Sequence, residues 1–134
     1  MTIKHPIFSQ LTHDVRVSVR PAFLPEYSTP ERRHFVFSYS VLIENLSPAR
    51  IQLLSRRWYV VDIFGDNQTV EGKGVVGKQP ILAPGEKFEY VSGTKLQSEF
   101  GKMYGSYQMQ RLADGHCFWV DIPEFPLLLP DRCQ

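Results

Sequence analysis

Hydrophobic residues recur at every second position along most of this chain. Val15, Val17 and Val19 alternate with Arg16, Ser18 and Arg20, which predicts a half-buried strand. Pro21–Glu31 carries prolines at 21, 25 and 30. Proline lacks an N–H and restricts the residue before it, so this stretch reads as a loop. Alternation returns from 32 to 45, with Phe35, Phe37, Tyr39, Val41 and Ile43 on one face. After a turn at Leu46–Ala49, residues 51–64 are apolar on both faces, as in a central strand covered on both sides. Gly65-Asp66-Asn67-Gln68 is turn chemistry. Residues 68–77 predict a glycine-interrupted strand and loop, and Pro80 and Pro84-Gly85 break the chain again. Phe88 and Tyr90 alternate with Glu89 within 87–92. A strand over 103–112 leads into Asp114-Gly115, a strong hairpin signal, and Phe118, Val120 and Ile122 alternate beyond it. Pro123, Pro126 and Pro130 leave an extended tail.

About seven strands at intervals of roughly 8–15 residues, with no good helix, predict an all-β antiparallel β-sandwich. Trp58 falls on the third predicted strand, and Tyr107 stands two residues before Met109, in the place where immunoglobulin domains put a cysteine. The expectation is an immunoglobulin- or fibronectin-III-like sandwich with no disulfide required. The 134 residues make one domain, with a core from about 10 to 130 and short flexible ends.

Composition narrows the partners. Lys+Arg 15 against Asp+Glu 14 gives a net charge of +1, without the basic excess of a general nucleic-acid binder. Cys117 and Cys133 are too few for a disulfide framework. No apolar leader and no spanning apolar run are present, so a soluble protein of the reducing cytoplasm is expected.

Candidate chemistry is sparse. Gly72-Lys73-Gly74-Val75-Val76-Gly77 spells G-x-G-x-x-G. Dinucleotide binding by that motif needs a helix opening after it, and Pro80 and Pro84 forbid one. What survives is an anion-binding nest of backbone amides beside Lys73 and Lys78, against the plainer reading that the glycines serve a bulge or positive φ. Ser92-x-x-Lys95 lacks the helix its chemistry needs, and His116 and Cys117 point to opposite faces of a strand. Cys117 reads as a small apolar strand residue. His5, His13, His34 and His116 are scattered, and Asp62, Asp66 and Asn67 read as a solvated hairpin tip rather than an ion site. In Arg32-Arg33 and Arg56-Arg57 one guanidinium of each pair is expected to snorkel or meet a carboxylate, with an anion site there as the minor alternative. Phe23, Leu24 and Tyr27 in the proline loop, and Phe125 with Leu127–Leu129 in the tail, either cover a sheet edge or anchor a partner.

Several longer stretches resemble the ApaG domain family. They are Trp58 with Asp62 and Gly65, VEGKGVVGKQPILAPGEKFEYVSG from Val70 to Gly93, GKMYGSYQM at Gly101–Met109 and FWVDIPEFPL at Phe118–Leu127. Val15–Glu44 also fits the family's opening strands, so the resemblance covers roughly residues 10 to 130, and the length fits the stand-alone bacterial form. The resemblance implies a fibronectin-III-like sandwich. It implies no established biochemical activity and no catalytic residues. The bacterial proteins take their name from gene neighbourhood with a diadenosine tetraphosphate hydrolase and are linked to cobalt resistance and magnesium efflux. Related domains in an F-box protein and a DNA polymerase δ-interacting protein look like protein-interaction modules. The family's glycine motif has prompted nucleotide-binding proposals.

The expectation is therefore a non-enzymatic binding module for an unidentified protein partner, with no cofactor and no metal. The alternative is a small-anion, pyrophosphate or nucleotide binder at Gly72, Lys73, Gly74, Gly77 and Lys78. Hydrolysis of a phosphate compound is a distant third. Homodimerisation through an edge strand is a further expectation.

Overall fold

The structure, a computed structural model, describes residues 6–130. Its strands are β1 (Phe8–Thr12), β2 (Val15–Phe23), β3 (Phe35–Asn45), β4 (Ile51–Asp62), β5 (Gln68–Lys73), β6 (Ile81–Leu82), β7 (Lys87–Leu96), β8 (Phe100–Arg111) and β9 (Cys117–Leu128). They form two antiparallel sheets, one ordered β1-β2-β3-β7 and the other β5-β4-β8-β9, with β6 continuing the β5 edge of β4. The two sheets form the expected sandwich.

All seven predicted strands are present, and two more join them. β1 lies in the stretch that showed no alternation. His13 (φ 49°) and Asp14 (φ 61°) turn it back onto β2. β6 is too short to show a period.

Three expectations are corrected. The proline segment does not begin as a loop: Pro21–Phe23 end β2, and single 3-10 turns follow at Pro25–Tyr27 and Pro30–Arg32. β4 is not covered on both sides. A bulge between Leu53 and Ser55 switches its inward positions from Ile51 and Leu53 to Trp58, Val60 and Asp62, while the opposite face is only half-buried and Ile63 and Phe64 lie exposed beyond its end. The proline tail is a strand: Pro123 falls where the β8–β9 register shifts, and Pro126 sits on the last strand of its sheet, two places where a missing N–H is tolerated.

One core fills the space between the sheets. Trp58 is central, with Tyr39 at 5.1 Å, Phe125 at 5.9 Å and Tyr107 edge-on at 6.3 Å between ring centroids. Each such buried side chain contributes roughly 1.5–3 kcal/mol. The sandwich has a tied side and a loose one. On the tied side Gln10 Nε2 donates to Asp121 (3.3 Å), and the Asp121 amide donates to Thr12 Oγ1 (3.1 Å), joining β1 to β9. On the other side β7 and β5 are the outermost strands of their sheets, and the segment Gly74–Pro80 folds in at that side, burying Val75. No helix among the described residues is long and apolar enough to cross a membrane.

Candidate functional site

The glycine motif builds a hairpin at this loose side. Val75 and Lys78 exchange backbone hydrogen bonds of 2.8 and 2.9 Å across Val76 (φ 43°) and Gly77 (φ 77°). That is a two-residue turn with positive φ at both central positions. Gly74 (φ 62°) passes so close to the Lys78 carbonyl that a Cβ would strike it. Gly72 has a different reason. It pairs with Arg56 across β4 and β5, and a Cβ there would lie 2.9 Å from Arg56 Nη1. The missing side chain is the space the guanidinium occupies.

Arg56 ties the hairpin down. Its Nη1 donates to the carbonyls of Lys73 (3.0 Å) and Gly74 (2.9 Å). The amides of Gly74, Val75 and Lys78 are already committed to Leu54, Lys78 and Val75. Only Val76 and Gly77 keep amides that the hairpin's own bonds do not use. Lys73 and Lys78 are exposed.

Beneath the hairpin lies a cleft of about 190 Å³. Tyr39, Tyr90 and Ser92 wall it from one sheet, Arg56 and Trp58 from the other, and Val75–Gly77 roof it. Of the predicted glycine-loop residues, Gly77 alone lines it. Arg56 forms none of the ion pairs found among the described residues. Tyr90 and Tyr107 share a hydrogen bond at the cleft's inner end. Burial pushes the hydroxyls of Tyr39, Tyr90 and Tyr107 above the ordinary tyrosine value, while the Arg56 charge pulls each of them the other way. Burial is the larger influence, so the hydroxyls stay protonated at neutral pH.

A second region covers the outward face of β4, β8 and β9. Tyr59 and Tyr104, paired in register, stack at 5.0 Å. Arg57 lies 4.7 Å over the Trp119 ring and pairs with Glu71 at 3.1 Å. Lys102 approaches the Tyr104 ring and holds Glu124 at 3.0 Å. Beside them Val61, Ile63, Phe100, Lys102, Pro126 and Leu128 line an apolar groove of about 370 Å³. Sequence reasoning missed this face because its residues come from three separated strands.

The predicted anchors fare unevenly. Phe125 is not on display: it points inward from β9 and is fully buried against Trp58 and Tyr39. Leu127 is buried likewise. Phe23 packs on Phe37 at 5.4 Å, and the Leu24 amide donates to Val36. Tyr27, 66% exposed, is the one open aromatic of that group.

Asp62 is buried rather than solvated. It accepts from the Gln97 amide (2.6 Å) and the Ser98 hydroxyl, joining the end of β4 to the β7–β8 connection. Cys117 is a strand residue, as read, paired with Gln110 at the start of β9, but it is exposed rather than buried. His5 and Cys133 lie outside the described residues. Among the described residues no group of three or more His, Cys, Asp or Glu converges as metal ligands would.

The site features are thus a polar cleft between the sheets and an aromatic outer face, carried on an all-β sandwich. Comparison with known proteins gives the family. The family model of the ApaG domain matches residues 25–111, and the chain belongs to that family. It is similar to the ApaG protein of Rhodospirillum centenum, 49% identical over 124 residues, which are 92% of this chain and 95% of that one. It is similar also to that of Afipia carboxidovorans, 46% identical over 125 residues, 93% of this chain and 95% of that one. A crystal structure of the putative ApaA protein from Bordetella pertussis superposes with a TM-score of 0.84 at 44% identity, over 87% of this chain and 94% of that chain.

Proposed function

We infer that this chain is a non-enzymatic binding module of the cytoplasm that recognises a protein partner through the outward face of β4, β8 and β9. The observation that carries the reading is the array of Tyr59, Tyr104 and Trp119 with Arg57 and Lys102 laid against the rings. Tyrosine, tryptophan and arginine dominate binding hot spots, because each presents a large, stiff contact surface and a polar tip. Here they stand on paired strands, so little side-chain freedom remains to be lost on docking. The apolar groove alongside, with exposed Ile63 and Phe100 at its margin, extends the same surface. Edge pairing with a second copy is a weaker reading: β5 carries Glu71 and Lys73, and β7 carries Lys87, Glu89 and Lys95, charges of the kind that discourage strand addition.

The test is site-specific photo-crosslinking in the native cell. A photoreactive amino acid replaces Tyr104, or replaces Ser18 on the outward face of the other sheet. A discrete crosslinked protein from position 104, absent from position 18 and lost when Trp119 is changed to Ala, is expected. Equal crosslinking from both positions, or none from 104, overturns the reading.

A further inference from the structure

We propose that the cleft beneath the glycine hairpin is a binding site for a small oxyanion of phosphate size, held by Arg56 with the hydroxyls of Tyr39 and Ser92. The site is distinct from the partner face: it lies on the inward side of β4 and at the loose side of the sandwich.

The charge argument comes first. A guanidinium does not deprotonate in proteins. Arg56 carries its charge into a cleft whose other lining groups are neutral: tyrosine and serine hydroxyls, an indole, a valine side chain and backbone. No carboxylate lines the cleft, and the tyrosines are kept protonated by burial, so the protein supplies no counter-charge there. Arg56 is half-buried, and an anion in the cleft would give its charge a partner of opposite sign that the protein does not supply.

The donor argument points the same way. Arg56 Nη1 faces the carbonyls of Lys73 and Gly74. That anchors the group and leaves Nε and Nη2 of its five N–H donors for a ligand. Ser92 is the register partner of Tyr39 on the neighbouring strand, and both line the cleft. Their hydroxyls are rotors that can turn their protons toward an anion. The free amides of Val76 and Gly77 stand at the roof. Charge-assisted bonds from such a mixed set are the strong kind. The volume sets the limit. At about 190 Å³ the cleft falls below the roughly 300–1,000 Å³ of sites that enclose larger ligands, so it takes a free oxyanion or one phosphoryl group whose remainder stays outside.

The test is an NMR titration of the full chain with inorganic phosphate at constant ionic strength, following the Gly77 and Ser92 amides. Saturable shifts are expected, with affinity at least tenfold weaker in Arg56→Gln. Because Arg56 also holds the hairpin, Tyr39→Phe with Ser92→Ala is the second variant. It keeps the guanidinium, and its affinity falls about tenfold or more. Lys73→Ala with Lys78→Ala is the control, expected to weaken binding less than threefold, since exposed charges are screened by salt. Glycerol 2-phosphate separates the sources: binding as tight as phosphate identifies a phosphoryl group on a larger molecule, and much weaker binding identifies the free ion. The proposal is overturned by absence of saturation, by unchanged affinity in Arg56→Gln or in the hydroxyl pair, by loss in the lysine pair, or by acetate binding more tightly than phosphate.

Discussion

Arg56 and Arg57 are neighbours in the chain and opposites in the fold. Arg57 points outward from β4, pairs with Glu71 and covers Trp119 in solvent. Arg56 points inward, meets no carboxylate, and rests on the bare backbone of Gly72 beneath the hairpin. Strand alternation puts consecutive side chains on opposite faces, so one dipeptide serves both regions. The difference lies in what surrounds each charge. In water a guanidinium is screened and its ion pair contributes about 0–1 kcal/mol. In a cleft among neutral dipoles the same group lacks a counter-charge. The outer region is thus a finished surface, whereas the inner one is electrostatically incomplete.

The two regions share a scaffold, and the largest predicted effect removes it from both. Trp58 is 2% exposed, with Tyr39, Tyr107 and Phe125 around it. Trp58→Ala should cost about 3–5 kcal/mol in denaturant unfolding and abolish both phosphate binding and crosslinking from position 104. Retention of either function in this variant would show that the regions do not depend on a common core.

The next effect is confined to the inner region. Tyr39, Tyr90 and Tyr107 have raised folded-state values, with burial as the main cause. A raised value favours the protonated, folded form. The stability it brings is complete below the unfolded tyrosine value of about 10 and is lost as pH rises beyond it. Unfolding measured from pH 8 to 11 should therefore show a steep alkaline decline. Tyr90→Phe takes one titrating group from the cleft and strands the Tyr107 hydroxyl. It should lower stability by about 1–3 kcal/mol at pH 8 and make the alkaline decline shallower. An unchanged slope would mean that Tyr90 titrates alike folded and unfolded.

Much of this was legible from the residues. Period-two alternation located β2, β3, the first half of β7 and the start of β9, because half-burial leaves a mark at each second position, whereas β4 was marked by its apolar run. Asp114-Gly115 located its turn, where Gly115 has φ 73°. β1 was hidden because its residues are mostly exposed, and its turn uses His13-Asp14 rather than a glycine. Phe125 was misplaced because prolines at 123 and 126 suggested a tail, whereas a register shift and an outermost strand accommodate both. The glycine motif was rightly denied a helix, but the reason for Gly72 was out of reach: it concerns a side chain on another strand. Arg56-Arg57 did raise an anion site as a minor alternative. The choice of Arg56 over Lys73 and Lys78 needed the cleft itself, because exposure separates these cations and sequence spacing does not.

Val76 allows a gentler separation of the two regions. It is β-branched, 54% exposed and held at φ 43°, where an L-residue costs roughly 1–2 kcal/mol. Glycine relieves that strain but loses more freedom on folding, by roughly 0.5–1 kcal/mol. Val76→Gly should therefore stabilise the chain by about 0.5–1 kcal/mol in denaturant unfolding, with crosslinking from position 104 unaltered. A net destabilisation would mean that the valine side chain makes contacts worth more than its strained backbone.

The smallest effect on stability falls on the outer region and sharpens the contrast most. Trp119 is 39% exposed and has Arg57 over its ring. An exposed cation–π contact contributes about 0.5–1 kcal/mol. Trp119→Ala should therefore shift unfolding by no more than about 1 kcal/mol, leave phosphate titration of the Gly77 amide unchanged, and still eliminate the crosslinked partner. The combination is what matters. A core residue that lost its partner would lose stability too, and a cleft residue would alter the phosphate titration. Only a residue whose role is to meet another protein can lose function while folding and the cleft stay intact. A loss of several kcal/mol would move Trp119 from the recognition surface into the scaffold.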